Sequence, residues 1–262
     1  MKKIYLTMVV LCGAAVLAHA QTEVSLGYSL AAPMQKMADN IGLTHSANIG
    51  GMYAIPATRG RLAFGVDAGV GNYASITREQ TFIFGNGTST RTFVNYTSNV
   101  WNAAAGARFT LLRKGAVLPF VTVKAGYQQF YSNVFVEDPA DPEGCRALDR
   151  KSILKDGTAT FAYGGGLRAE LSRIFKGVVP GRNFIELSVT QVRGGNIEYI
   201  NTRKLKDKAP AADDPDVIKR SLNMRFINAS TQNIHEHQVA EVYTTPLRQL
   251  DFRLTYVFRF CR

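Results

Sequence analysis

Leu250-Asp251-Phe252-Arg253-Leu254-Thr255-Tyr256-Val257-Phe258-Arg259-Phe260 alternates with a period of two. Leu250, Phe252, Leu254, Tyr256, Phe258 and Phe260 fall on one side, and Asp251, Arg253, Thr255, Val257 and Arg259 on the other. Successive side chains of an extended chain point to opposite faces, so this stretch is read as a strand with one apolar face. The same dyad recurs at the other end of the chain, where Val24, Leu26, Tyr28 and Leu30 alternate with Glu23, Ser25, Gly27 and Ser29. It returns in Leu62, Phe64, Val66, Ala68 and Val70, set against Ala63, Gly65, Asp67 and Gly69.

Eight such segments are predicted, over 22–31, 44–56, 61–73, 100–113, 116–131, 158–173, 183–197 and 247–261. No segment carries a 3.6-residue period, although 33–40 has room for one helical turn. The connections alternate in length. Those at 32–43, 74–99, 132–157 and 198–246 are long; those at 57–60, 114–115 and 174–182 are short and hold turn formers such as Arg59-Gly60, Lys114-Gly115 and Pro180-Gly181. An even strand number with every long loop at one end is the pattern of a membrane-spanning β-barrel.

Periodicity is the same for a soluble lipocalin-like barrel, whose apolar face points inward. Residue size separates the two readings. Gly27, Ala104, Gly106, Gly126, Gly164 and Gly166 crowd the polar parity, whereas Phe, Leu and Trp101 fill the other. Eight strands enclose little volume, so the small, polar parity is assigned to the interior and the bulky one to lipid. The expected fold is all-β: an eight-stranded antiparallel up-and-down transmembrane barrel with short periplasmic turns and long extracellular loops.

The opening Glu23-Val24-Ser25-Leu26-Gly27-Tyr28 and the closing Arg253-Leu254-Thr255-Tyr256-Val257-Phe258-Arg259-Phe260 resemble those of the small outer-membrane β-barrels of the OmpA/OmpX type. The resemblance spans 21–262. It implies residence in the Gram-negative outer membrane, contact with membrane lipid and lipopolysaccharide, and delivery by the barrel-assembly machinery. That machinery favours a terminal aromatic; here Phe260 is followed by Cys261 and Arg262, a departure from the pattern. A shared fold implies no particular activity.

Residues 1–20 fit the same destination. Lys2 and Lys3, the apolar run Ile4 to Leu17 and then Ala18-His19-Ala20 have the layout of a secretory signal peptide cleaved before Gln21. The apolar run is too short to span a bilayer as a helix. Cys12 follows the bulky Leu11, where a lipidated cysteine wants a small residue before it.

Across its 262 residues the chain has 31 Lys+Arg against 20 Asp+Glu, a net charge of +11. That excess first suggests a nucleic-acid partner. Its placement removes the suggestion. Two charges leave with Lys2 and Lys3, so residues 21–262 carry +9. The interior parity collects Glu23, Asp67, Glu170, Glu186 and Asp251 with Arg108, Lys124, Arg168, Arg253 and Arg259, five acids facing five bases. Charges in a narrow interior are costly unless paired. A charge-paired, structural lumen is therefore expected; a narrow gated pore is the alternative. The excess falls on a basic rim at the short-turn end: Arg59, Arg61, Arg113, Lys114, Arg173, Lys176, Arg182 and Arg262. Such a rim suits anionic phospholipid headgroups.

The remaining motifs carry little chemistry. Asp138, Asp141 and Glu143, and the group Asp213-Asp214-Pro215-Asp216, lack the spacing of a calcium loop. His235 and His237 put two imidazoles on one strand face with no third ligand evident, so no metal or cofactor is expected. Some barrels of this size modify lipid A through a His-x-Ser-Asn strand motif; the nearest run is His45-Ser46-Ala47-Asn48, where neighbouring residues face opposite ways and His45 cannot activate Ser46. Cys145 in an outer loop and Cys261 at the inner edge are separated by an apolar band of roughly 25 Å, so no disulfide is expected between them. The connection 198–246 is the candidate site for an extracellular ligand. A structural or surface-interaction protein is the expectation, with a lipid-modifying enzyme or a narrow passive pore as alternatives.

Overall fold

The computed structural model of the chain describes residues 21–83, 89–112, 114–137, 147–200, 218–227 and 234–260. Nine strands run in chain order among them: β1 (Gln21–Pro33), β2 (Thr44–Ala54), β3 (Leu62–Ile83), β4 (Ser89–Thr110), β5 (Val117–Glu137), β6 (Ala147–Glu170), β7 (Asn183–Ile200), β8 (Ile218–Ile227) and β9 (Ile234–Phe260). Each strand from β1 to β6 pairs antiparallel with the next, and β7 pairs with β9. The sheet closes where β1 meets β9, from Thr22↔Phe260 to Pro33↔Gln249. Eight strands form the up-and-down barrel expected from the dyads. β8 stands outside it, paired with β9 from Ile218↔Thr244 to Ile227↔Ile234.

The exposed side chains decide which parity faces out. Leu26, Val66, Val70, Leu187 and Leu254 are each more than half exposed, while Glu23, Arg108 and Arg168 are at most 5% exposed. A water-soluble barrel would have the reverse arrangement. The small residues on the inner parity are required there. A Cβ on Gly126 would strike the Ala103 carbonyl and Ala104, and one on Gly164 would strike the Val189 carbonyl. At the short-turn end, Arg59 takes a left-handed conformation (φ 56°). The Thr58 hydroxyl locks that turn by donating to the Ile55 carbonyl (2.8 Å) and accepting from Leu62 N–H (3.0 Å).

The strands are longer than the dyads suggest. The span 74–99, read as a loop, is ladder from Ala74↔Ser98 to Ile83↔Ser89. The span 132–157 continues the β5–β6 pairing to Glu137↔Ala147, and 198–246 contains the β8–β9 hairpin. The cause lies in β4. Its outward residues change from Phe109, Ala107, Ala105, Ala103 and Trp101 to Asn99, Thr97 and Asn95, while its inward ones change from Arg108, Gly106, Ala104 and Asn102 to Val100, Ser98, Tyr96 and Val94. The apolar face crosses from outside to inside without leaving the strand. A pattern search for one continuous apolar face stops at that level.

Candidate functional site: the filled barrel interior

The interior is stacked in layers. At the short-turn end Glu23 of β1 gathers three arginines from three other strands. Arg168 of β6 donates through both terminal nitrogens (2.8 and 3.0 Å), Arg259 of β9 through Nη2 and Nε (2.6 and 2.9 Å), and Arg108 of β4 makes a further contact. Glu186 of β7 takes Arg108 (2.6 Å) and Arg168 (3.2 Å). The ring of Phe184 lies under the guanidinium groups of Arg168 (3.9 Å) and Arg259 (4.8 Å). Three cations against two buried anions are thus also held by an aromatic face, which attracts desolvated arginine.

One layer up, Asp67 of β3 binds Lys124 of β5 and Arg253 of β9 (3.4 Å), and Arg253 also reaches Asp251 (3.3 Å). Nine of the ten charges assigned to the interior therefore meet in two groups. Glu170 does not. β6 ends there, and the backbone bends into the 3-10 turn Leu171–Arg173. This carries the carboxylate to the turn, where it accepts from Gly181 N–H (2.5 Å), Ser172 Oγ (2.8 Å) and Arg173 Nε (3.2 Å). The Ser172 and Gly181 hydrogen bonds, followed by Arg173, hold the Glu170 carboxyl below the usual carboxylate range.

Above the charges comes a neutral polar layer in which Asn48 donates to Ser29 (3.0 Å) and Gln128 to Gln249 (3.2 Å). Beyond it the interior turns apolar. Tyr73, Val100, Phe130, Ile197, Tyr199, Tyr243 and Leu247 form one buried cluster with Met37 and Ile41. The last two come from the β1–β2 connection, whose 3-10 turn Gln35–Met37 folds over the mouth. Asn40 fixes it there by donating to Tyr199 Oη (3.1 Å). Periodicity does not reveal Met37 and Ile41, because they lie off the strands. Val100 and Phe130, apolar residues continuing an otherwise polar parity, are the signal that the interior changes character.

Among the described residues, one lumen cavity of about 70 Å³ and another of about 60 Å³ are both lined by Asp67, Lys124 and Arg253. Each has room for a few waters. His45 faces outward, its Nδ1 2.6 Å from Tyr28 Oη, while Ser46 lines the inner cavity, so the two stand on opposite sides of the wall.

Of the basic rim, Arg59, Lys114, Arg173, Lys176 and Arg182 are exposed at the short-turn end. Arg61 lies over the Phe109 ring (4.6 Å) and donates to the carbonyls of Thr110 and Leu111 (3.0 and 2.9 Å). Arg173 is paired with Glu170. Residues 1–20, Arg113, Arg262, Cys145, Cys261, the acids of 138–143 and 213–216, and the side chains of His235 and His237 lie outside the described residues. Among the described residues no three His, Cys, Asp or Glu side chains gather as metal ligands.

A closed eight-stranded barrel with an apolar outer belt and charged interior defines a small membrane-spanning barrel of the outer-membrane type. Neisserial surface protein A is similar to it in structure, at 11% identity, over 91% of this chain and 96% of that one, with a TM-score of 0.38. So are a major outer membrane protein of Thermus thermophilus (12% identity, 92% of this chain and 100% of that one, TM-score 0.44) and Ail, the attachment invasion locus protein of Yersinia pestis, in complex with the heparin analogue sucrose octasulfate (12%, 91% and 97%, 0.36). No family model and no curated protein sequence matches the chain.

Proposed function

We propose that the protein is a non-conducting, non-enzymatic barrel of the Gram-negative outer membrane that presents the segments at its long-loop end as an interaction surface. The observation that carries this reading is the succession inside the barrel: two ion-paired layers, a neutral polar layer and an apolar cap fastened by Asn40 and Tyr199. Water and ions crossing it would have to wet the dry Phe130 and Leu247 and unpair buried charges, the latter at a cost of several kcal/mol, roughly the scale of breaking a buried pair. The separation of His45 from Ser46 across the wall speaks against a hydrolytic site in this segment. The complete dyad of β9, ending on Phe260, supports recognition by the barrel-assembly machinery. The segment 198–246 is the proposed seat of an extracellular ligand.

The test is reconstitution of the folded barrel into a planar lipid bilayer. The expected outcome is a bilayer current no different from that of protein-free membranes. Steady single-channel steps would overturn the sealed lumen and favour the narrow pore.

A further inference from the structure

Outside the lumen, one arrangement of charges has no acidic partner among the described residues. In β7 and β9, Arg193 and Arg248 face each other in register, both on the outward parity. Directly opposed residues of an antiparallel pair have Cβ atoms about 5 Å apart, and like charges so placed repel. Inside the lumen this barrel pairs its arginines closely. Asp156 lies five residues further along β6 than Phe161, the residue opposite Arg193, and accepts the backbone N–H groups of Gly157 and Glu198 (2.8 and 2.7 Å).

The Arg193 side chain is also held in place. The Arg193 guanidinium lies 5.6 Å from the centre of the Tyr163 ring and donates to Gln191 Oε1 (3.2 Å), an atom that also accepts from the Tyr163 hydroxyl. Arg248 sits beside a fixed backbone, because its carbonyl takes the Met34 N–H (2.9 Å). Gly194 and Gly195 form the bulge just above, so the ladder is interrupted immediately beyond the two arginines. Phe161 stands opposite Arg193 in register, and below the pair Val189 and Phe252, themselves opposed, are exposed. The arginines therefore mark the level at which the lipid-facing belt gives way to polar surface.

We propose that Arg193 and Arg248, with Gln191 and Tyr163, form a site for the phosphate of a lipid headgroup in the leaflet at the long-loop end. Two guanidinium forks can share one phosphate through charge-assisted hydrogen bonds. The bound anion removes the repulsion between them, while the acyl chains of the same molecule lie on Val189 and Phe252. A phosphorylated glycolipid supplies both parts. Inorganic phosphate supplies only the first. The site rests on the membrane reading above but not on the closed lumen, so lipid retention and conductance fail independently.

The experiment compares the wild-type barrel with R193Q/R248Q in phosphatidylcholine nanodiscs containing bisphosphorylated lipid A or its dephosphorylated form. Lipid retained per barrel is counted by native mass spectrometry. The wild type should retain bisphosphorylated lipid A about tenfold more than the double variant, a difference on the scale of one lost charge-assisted contact. R193K/R248K, which keeps the charge and loses the fork, should fall between them. The dephosphorylated lipid should be held equally weakly by all three. Equal retention of the phosphorylated form by wild type and by a heat-modifiable, folded R193Q/R248Q would overturn the site. Arginine-dependent binding of inorganic phosphate in detergent, with lipid retention unchanged by the substitutions, would overturn the lipid assignment.

Discussion

The half of the barrel nearer the short turns and the half nearer the long loops obey opposite rules. In the first, Leu26, Val66, Leu187 and Leu254 point outward and Glu23, Arg108, Lys124 and Arg168 point inward. In the second, Tyr96, Phe130, Val134, Ile197 and Tyr199 are buried inside, while Ser75, Thr77, Glu79 and Asn196 are exposed. The strands are continuous through the change, and register shifts cluster near it, between Asn72 and Ala74, and between Arg193 and Asn196. The difference teaches where the solvent changes. A barrel wall in hydrocarbon gains nothing from burying apolar side chains in its interior and can hold charges there if they pair. A wall in water must bury its apolar residues. One chain thus contains an inside-out barrel and a conventionally packed one, stacked end to end.

Substitutions that attack one half and spare the other test this contrast. Glu23→Ala should have the largest effect, because it strands Arg108, Arg168 and Arg259 around Glu186 alone. The expected loss is about 3–5 kcal/mol, read as a lower urea midpoint for unfolding in lipid vesicles. Leu254→Arg places a cation in the belt and should cost about 2–4 kcal/mol in the same measurement. The matching change in the other half, Thr97→Arg, puts the same charge on a water-facing surface and should stay within about 0.5 kcal/mol of wild type. Similar costs for the two arginine variants would erase the contrast.

Glu170→Gln should have the smallest effect and a distinctive pH dependence. A carboxyl held below its usual range contributes in full at pH values above that range, and the contribution fades as pH falls through the lowered value. The turn 171–182 should therefore be equally protected from hydrogen exchange in wild type and variant in strong acid. The wild type should be better protected at neutral pH. A difference that grew on acidification would contradict the hydrogen bonds assigned to Glu170.

The belt was legible in the sequence because hydrocarbon on one side and a narrow lumen on the other impose a strict period of two. Glu23, Asp67, Arg108 and Arg253 could be placed inside from parity alone. Glu170 has the same parity, yet the strand stops at that residue, and the end of a strand is decided by the turn that follows rather than by alternation. The upper half was far less legible. Asn95, Thr97 and Asn99 alternate with Val94, Tyr96 and Ser98 as regularly as any belt residues, but with the sign reversed, so a search for one apolar face reads them as loop. Met37 and Ile41 have no period at all. Their burial depends on the mouth that β3, β4, β5, β7 and β9 build beneath them.

The reversal of sign along β4 is the central claim, and spin-label accessibility tests it most directly. Single cysteines at Asn95, Thr97, Asn99, Ala103, Ala105 and Ala107, in a background with Cys145 and Cys261 replaced, would each carry a label on the outer wall of the barrel in lipid vesicles. Labels at Ala103, Ala105 and Ala107 should collide with dissolved oxygen far more than with a water-soluble nickel chelate, and those at Asn95 and Thr97 should show the reverse, with the crossover near Asn99. A single accessibility ratio at all six positions would contradict a wall that passes from hydrocarbon into water along one strand.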